Sequence, residues 1–94
     1  MSEILKTAQA GTLESADIMI MVSAAEPGSG IQIELVTPTL KQYGTQIRQT
    51  IEKVLAANGV ADATVHANDK GALDYTIEAR AQVAIDRALG RGGN

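Results

Sequence analysis

The chain has no cysteine, no phenylalanine and no tryptophan, and only two tyrosines and one histidine. Each scarcity excludes a kind of chemistry. Without cysteine there is no disulfide, no thiolate metal site and no thioester borne by the polypeptide itself. Any thioester chemistry must therefore use a sulfur brought from outside. The single histidine, His66, lies on a predicted strand with no second imidazole to complete a metal site, and it reads as structural or merely exposed. A serine nucleophile would have to share that one histidine for every role of a triad, so none can be assembled. Two tyrosines and a net charge of −3 supply neither stacking platforms nor a basic surface, so no nucleic-acid partner is expected. The longest apolar run, Ile18 to Val22 with Ala24 and Ala25 following, is far short of the roughly 20 residues of a membrane span. Glu3, Lys6 and Gln9 interrupt any signal-peptide core, so no membrane association and a cytoplasmic location are expected.

What is present suits a small soluble domain. The 94 residues are 45% hydrophobic and 20% charged, without the apolar depletion of disorder. They are expected to form one domain over 1–94, with 1–10 and 90–94 free to flex. A domain of this size buries only about two-thirds or less of its unfolded surface, which leaves little room for a deep private active site.

Periodicity suggests the elements. Ile18, Ile20, Val22 and Ala24 alternate with Met19, Met21 and Ser23, as in a strand with one buried face. Glu26-Pro27-Gly28-Ser29-Gly30 is turn chemistry, and Ile31, Ile33 and Leu35 resume the alternation, so the two runs are expected to pair as a hairpin. Thr37-Pro38 is a helix-start signature; Leu40, Tyr43, Ile47, Ile51, Val54 and Leu55 form a helical stripe that Asn58-Gly59 ends. Ala63, Val65 and Ala67 mark a third strand before the Asp69-Lys70-Gly71 turn.

The segment 72–89 supports two periods. Leu73, Tyr75, Ile77 and Ala79 alternate, yet Leu73, Ile77, Ala81, Ala84, Ile85 and Ala88 also make a helical stripe. The tight turn before it favours a hairpin strand to about Ala79, then an alanine-rich helix to Leu89. The expected fold is α+β: an antiparallel sheet of two hairpins with two helices packed on one face, in the order hairpin, helix, hairpin, helix. Met1 to Ala10 is either a loose arm or an added strand, and 91–94 a frayed tail.

Candidate chemistry is sparse. Gly28-Ser29-Gly30 is too short for a phosphate-cradling loop and leads into no helix. The acidic pairs Glu14 with Asp17 and Asp69 with Asp74 read as solvated carboxylates. Met19 and Met21 either face a partner or pack under the N-terminal arm. In Gly11-Thr12-Leu13-Glu14-Ser15-Ala16-Asp17, local chemistry on its own describes a turn, with Gly11 at positive φ and Ser15 or Asp17 bonding a backbone N–H.

That segment nevertheless closely resembles the modification site of the citrate lyase acyl carrier, the gamma-subunit family of that enzyme. Gln42-Tyr43-Gly44 with Ile47-Arg48, and Asp69-Lys70-Gly71-Ala72-Leu73-Asp74 followed by Ala79-Arg80-Ala81, resemble two further blocks of the family. Three blocks between Gly11 and about Leu89 are more specific than any one. The resemblance implies a non-catalytic carrier in which Ser15 holds, through a phosphodiester, the prosthetic group 2'-(5''-phosphoribosyl)-3'-dephospho-CoA. The thiol of that arm would present acetyl and citryl groups to the alpha and beta subunits, which convert citrate to acetate and oxaloacetate. Glu14 and Asp17 would either repel the arm's phosphates, so that the arm projects into solvent or a partner, or serve with Gly11 as recognition marks for the transferase that attaches it. A ligase that acetylates the arm is a further partner the resemblance implies. Two other readings stay open: the related carrier of malonate decarboxylase, and a small regulatory or ligand-binding α+β domain without a covalent group.

Overall fold

The computed structural model describes residues 2–91. Six elements follow in order: strands β1 (Ala8–Gly11), β2 (Ile18–Ser23) and β3 (Ile31–Val36), helix α1 (Leu40–Ala57), strand β4 (Ala63–Asp69) and helix α2 (Asp74–Ala88). The strands form one open sheet in the order β1-β2-β4-β3. The class is the expected α+β, but the pairing differs from two hairpins.

β2 and β3 are not neighbours. β4 lies between them, antiparallel to β2 and parallel to β3, so the sheet is mixed. The cause lies in the connections. A helix of 18 residues returns the chain to the end of the sheet where β3 began, and the next strand then runs beside β3 in the same direction, as crossover connections require. The Pro-Gly segment serves that arrangement: Gly28 N and Gly30 N both donate to Asp62 Oδ1, at 3.1 and 2.8 Å, and Ala63 N donates to Gly30 O. The turn residues thus dock the loop on the entrance to β4 and do not fold β3 back onto β2.

The one hairpin present is β1 with β2, registered from Ala8 opposite Val22 to Gly11 opposite Met19. Of the N-terminal arm, Ala8 to Ala10 therefore belong to an added strand, and Ser2 N and Leu5 N bond Gly59 O and Ala88 O at 2.8 and 2.9 Å. Of the expected tail, 92–94 lie outside the described residues.

The expected strand from Ala72 to Ala79 is instead the start of α2. Asp69 carries the change of direction: its Oδ1 accepts Ala72 N at 2.9 Å and its Oδ2 accepts the Thr37 hydroxyl at 2.8 Å, which ends β4 and turns the chain into a helix. In that helix Ile77, Ala81, Ala84, Ile85 and Ala88 are buried, whereas Leu73 and Tyr75, which a strand would have placed on the core face, are exposed.

Both helices cover one face of the sheet. Ile18, Ile20 and Val22 of β2, and Ala63, Val65 and Ala67 of β4, meet Ile47, Ile51 and Leu55 of α1 and Ile77 and Ile85 of α2 in a single core. Met19, Met21, Thr64, His66, Asn68 and Glu34 occupy the other face, where His66 Nδ1 and Glu34 Oε2 stand 2.8 Å apart. Met19 and Met21 are thus half-buried on the uncovered side, with β1 beside them in the sheet and not across them. Arginines blunt the two edges: Arg87 donates to Gln9 O in β1 and Arg48 to Ile33 O in β3, each at 2.7 Å. Neither helix is long and apolar enough to cross a membrane.

Candidate functional site

The turn joining β1 to β2 carries Ser15 at its tip. Two backbone devices fix its ends. Gly11 leaves β1 at φ +95°, and a Cβ placed there would lie 1.8 Å from Ile18 O, so both the conformation and the close approach demand glycine. Ala16 takes φ +64°, the left-handed region that a non-glycine residue enters only when its surroundings impose it. Here the surroundings are the β4–α2 turn: Ala16 N donates to Lys70 O at 2.8 Å and Lys70 N to Asp17 O at 2.9 Å.

Asp17 is the electrostatic anchor. Its carboxylate accepts Arg80 Nε at 3.0 Å and a second guanidinium nitrogen at 2.8 Å, the Thr12 hydroxyl at 2.6 Å, and the N–H of Ile18 at 2.7 Å. The Arg80 bonds first, then those of Thr12 and Ile18, hold its pKa far below the usual carboxylate range, and Asp17 in turn raises that of Arg80. Thr12 Oγ1 also accepts Glu14 N at 3.2 Å, and Asp17 N donates to Glu14 O at 3.1 Å. The loop is closed on itself below its tip.

Above that base nothing holds Ser15. Residues Thr12 to Ala16 are exposed, and among the described residues the Ser15 hydroxyl has no hydrogen-bond partner. Among the described residues the Glu14 carboxylate likewise has no partner. Of the sequence-predicted set, the structure brings Gly11, Glu14, Ser15 and Asp17 into one turn, but gives Gly11 and Asp17 structural tasks. Thr12, Lys70 and Arg80 stand in the sequence blocks quoted above, but spacing gives none of them a role at this turn. Asp17 and Arg80 stand 63 residues apart, a separation that carries no local signal. The Asp69 turn is structural, though with a buried carboxylate that leads into a helix where its sequence suggests a hairpin, and its backbone positions the serine loop.

A rigidly based turn and an exposed hydroxyl without a partner among the described residues suit a chain that presents something on its surface. The family model described as malonate decarboxylase delta subunit (MdcD), an acyl carrier model, matches residues 5–88. The class is therefore an acyl carrier subunit, which carries and does not catalyse. Identity narrows it further. The chain is 53% identical over 87 residues to the citrate lyase acyl carrier protein of Weissella paramesenteroides, covering 93% of this chain and 88% of that one. Against the carrier of Lactococcus lactis subsp. lactis it is 47% identical, covering 93% and 88%, and against that of Halothermothrix orenii 45%, covering 92% and 89%. The chain belongs to the citrate lyase acyl carrier protein family. A chain from the crystal structure of a Pseudomonas malonate decarboxylase hetero-tetramer in complex with malonate shares its fold, with a TM-score of 0.70 at 16% identity over 93% of this chain and 88% of that one.

Proposed function

We propose that this chain serves a cytoplasmic citrate lyase as its acyl carrier subunit, with Ser15 joined by a phosphodiester to 2'-(5''-phosphoribosyl)-3'-dephospho-CoA. The observation that carries the reading is the Ser15 hydroxyl, exposed at the hairpin tip and free of hydrogen bonds among the described residues. A serine committed to capping a turn could not be esterified without loosening the fold; this one can. The residues present fit the group, because the tip is open on the solvent side and the polypeptide has no thiol of its own. When attached, the arm supplies the thiol that bears the acyl group.

The chain's own residues do the rest. Asp17, Arg80 and Thr12 fix the base of the turn, so the attachment atom has a defined position on a small rigid body. Tethering then raises the effective concentration of the arm's end at successive active sites without release between steps. Alpha and beta subunits are the expected recipients, and a transferase and an acetylating ligase the expected modifiers. Asp17 is neutralised by Arg80, so Glu14 is the carboxylate of the turn left to repel the arm's phosphates or to be read by the transferase. The malonate decarboxylase carrier is the weaker reading: the matching family model bears that description, but the relatives at 45–53% identity are citrate lyase carriers, and the Pseudomonas chain is alike in fold alone at 16% identity.

Intact-mass measurement tests the proposal. Protein isolated from its native cells should exceed the sequence mass by one phosphoribosyl-dephospho-CoA unit, and Ser15→Ala should remove the increment. An unmodified chain within an active lyase would overturn it. Co-purification with decarboxylase subunits in place of lyase subunits would transfer the chain to the second reading.

A further inference from the structure

The two tyrosines, the chain's only aromatic residues, stand in one place. Tyr43 on α1 and Tyr75 on α2 line a cleft of about 570 Å³ together with Gly71, Ala72 and Leu73 of the β4–α2 turn. Neither ring is used by the core: Tyr43 is 54% exposed and Tyr75 71%. A small domain poor in aromatics would be expected to spend them on burial, where each brings the largest apolar area. Here both are left facing open space across a cleft of ligand size.

The cleft adjoins the serine loop. Gly71 follows Lys70, whose carbonyl accepts Ala16 N, and Ala16 follows Ser15. Two peptide links and one hydrogen bond thus separate Ser15 from the cleft, on the order of 13 Å. Its polar lining comprises the hydroxyls of Thr39, Tyr43 and Tyr75, the Gln46 amide and the carboxylates of Asp69 and Asp74. Asp74 accepts Gln46 Nε2 at 2.8 Å, which leaves Gln46 Oε1 and Asp74 Oδ1 as acceptors without partners among the described residues.

We infer that the cleft between Tyr43 and Tyr75 is a seat for the purine base of the arm on Ser15, an inference that rests on the reading of Ser15 given above. In the arm as named, the phosphodiester leads through one ribose to the adenosine, and the thiol lies at the far end. The base is therefore the first planar group within reach of the cleft. Stacking on the tyrosine rings suits it, and its exocyclic amine matches the acceptors of Gln46 and Asp74. The same acidic wall disfavours both the phosphates and a polycarboxylate acyl group. The purine is held close to the carrier while the pantetheine end remains free to travel. The attachment is then a two-point mount, with a covalent bond at Ser15 and a stacked base beside it.

With only two tyrosines in the chain, intrinsic tyrosine emission and tyrosine ring NMR signals report on Tyr43 and Tyr75, and Tyr43 is the specific reporter, because Tyr75 also borders a second hollow beside Lys53 and Glu78. Arm-loaded chain, verified by intact mass, is compared with unloaded chain. Loading should quench tyrosine emission, and the adenine H2 and H8 resonances should shift from those of free dephospho-CoA and show contacts to both rings. Tyr43→Leu and Tyr75→Leu, at exposed positions, should keep the arm by mass yet raise the unstacked fraction about tenfold each, the loss expected for one stacking partner. A loaded chain with unchanged emission and adenine signals like those of free dephospho-CoA overturns the inference while leaving Ser15 intact. Tyrosines that become shielded only when the other subunits are added make the cleft a subunit-docking surface and also overturn it. A native chain without the added mass removes the reading of Ser15, and the inference with it.

Discussion

Asp17 sets the geometry of the Ser15 turn, and its charge makes that geometry sensitive to acid. Its folded pKa lies well below the value of about 3.9 for an unfolded aspartate. The stability it contributes is therefore complete above the unfolded value and is lost as pH falls through and below it. Acid titration of the unfolding free energy should show a decline beginning near pH 5 that Asp17→Asn flattens. A variant with the same acid limb as the parent would show that another carboxylate is responsible. Gly11→Ala is expected to cost more than about 1 kcal/mol, because the added Cβ meets the Ile18 carbonyl at 1.8 Å and the backbone φ is positive. Ser15→Ala, by contrast, should change stability by less than about 1 kcal/mol, since no cap is lost; chemical denaturation of both variants checks the contrast. At this scale the serine was legible only through resemblance. Composition and spacing describe a turn at Gly11–Asp17, and neither contains the Arg80 bond, which exists only once α2 is packed.

At the level of elements, β2, α1 and β4 were plain from alternation and helical spacing, with α1 ending at Asn58-Gly59 as its sequence suggests. The start of α2 was not plain. Leu73, Tyr75 and Ile77 fit a strand period as well as part of a helical one, and the Asp69 carboxylate, by capturing Ala72 N and Thr37, decides between them. The partner of β2 was also hidden, because Gly28 and Gly30 look like hairpin residues until Asp62 is seen to receive both N–H groups. Two outcomes follow. Ile77→Ala, at a fully buried position of α2, should destabilise by about 2–5 kcal/mol; a strand with Tyr75 as its core residue would instead make Tyr75→Ala the costlier change. Asp62→Ala should speed amide hydrogen exchange at Gly28 and Gly30 while leaving β2 protected, and equal exchange in both proteins would show that the loop is held by other means.

For the whole molecule, the central position of β4 governs assembly. β2 and β3 are made before the strand that joins them, and a parallel neighbour requires the intervening helix to be in place. Such topologies refold more slowly than helical bundles of similar size, and temperature-jump refolding complete within microseconds would contradict this account. The same architecture leaves one face of the sheet uncovered and gathers both chain-crossing turns, β1–β2 and β4–α2, at one end of the molecule. The hydrogen bonds from Ala16 to Lys70 and from Arg80 to Asp17 therefore have a temporal meaning. A ribosome delivers Ser15 early and the two residues that shape its turn late. On the proposed reading of Ser15, an enzyme that reads the shape of the turn would meet it only after translation has passed α2, and modification would double as an inspection that unfinished or truncated chains do not pass.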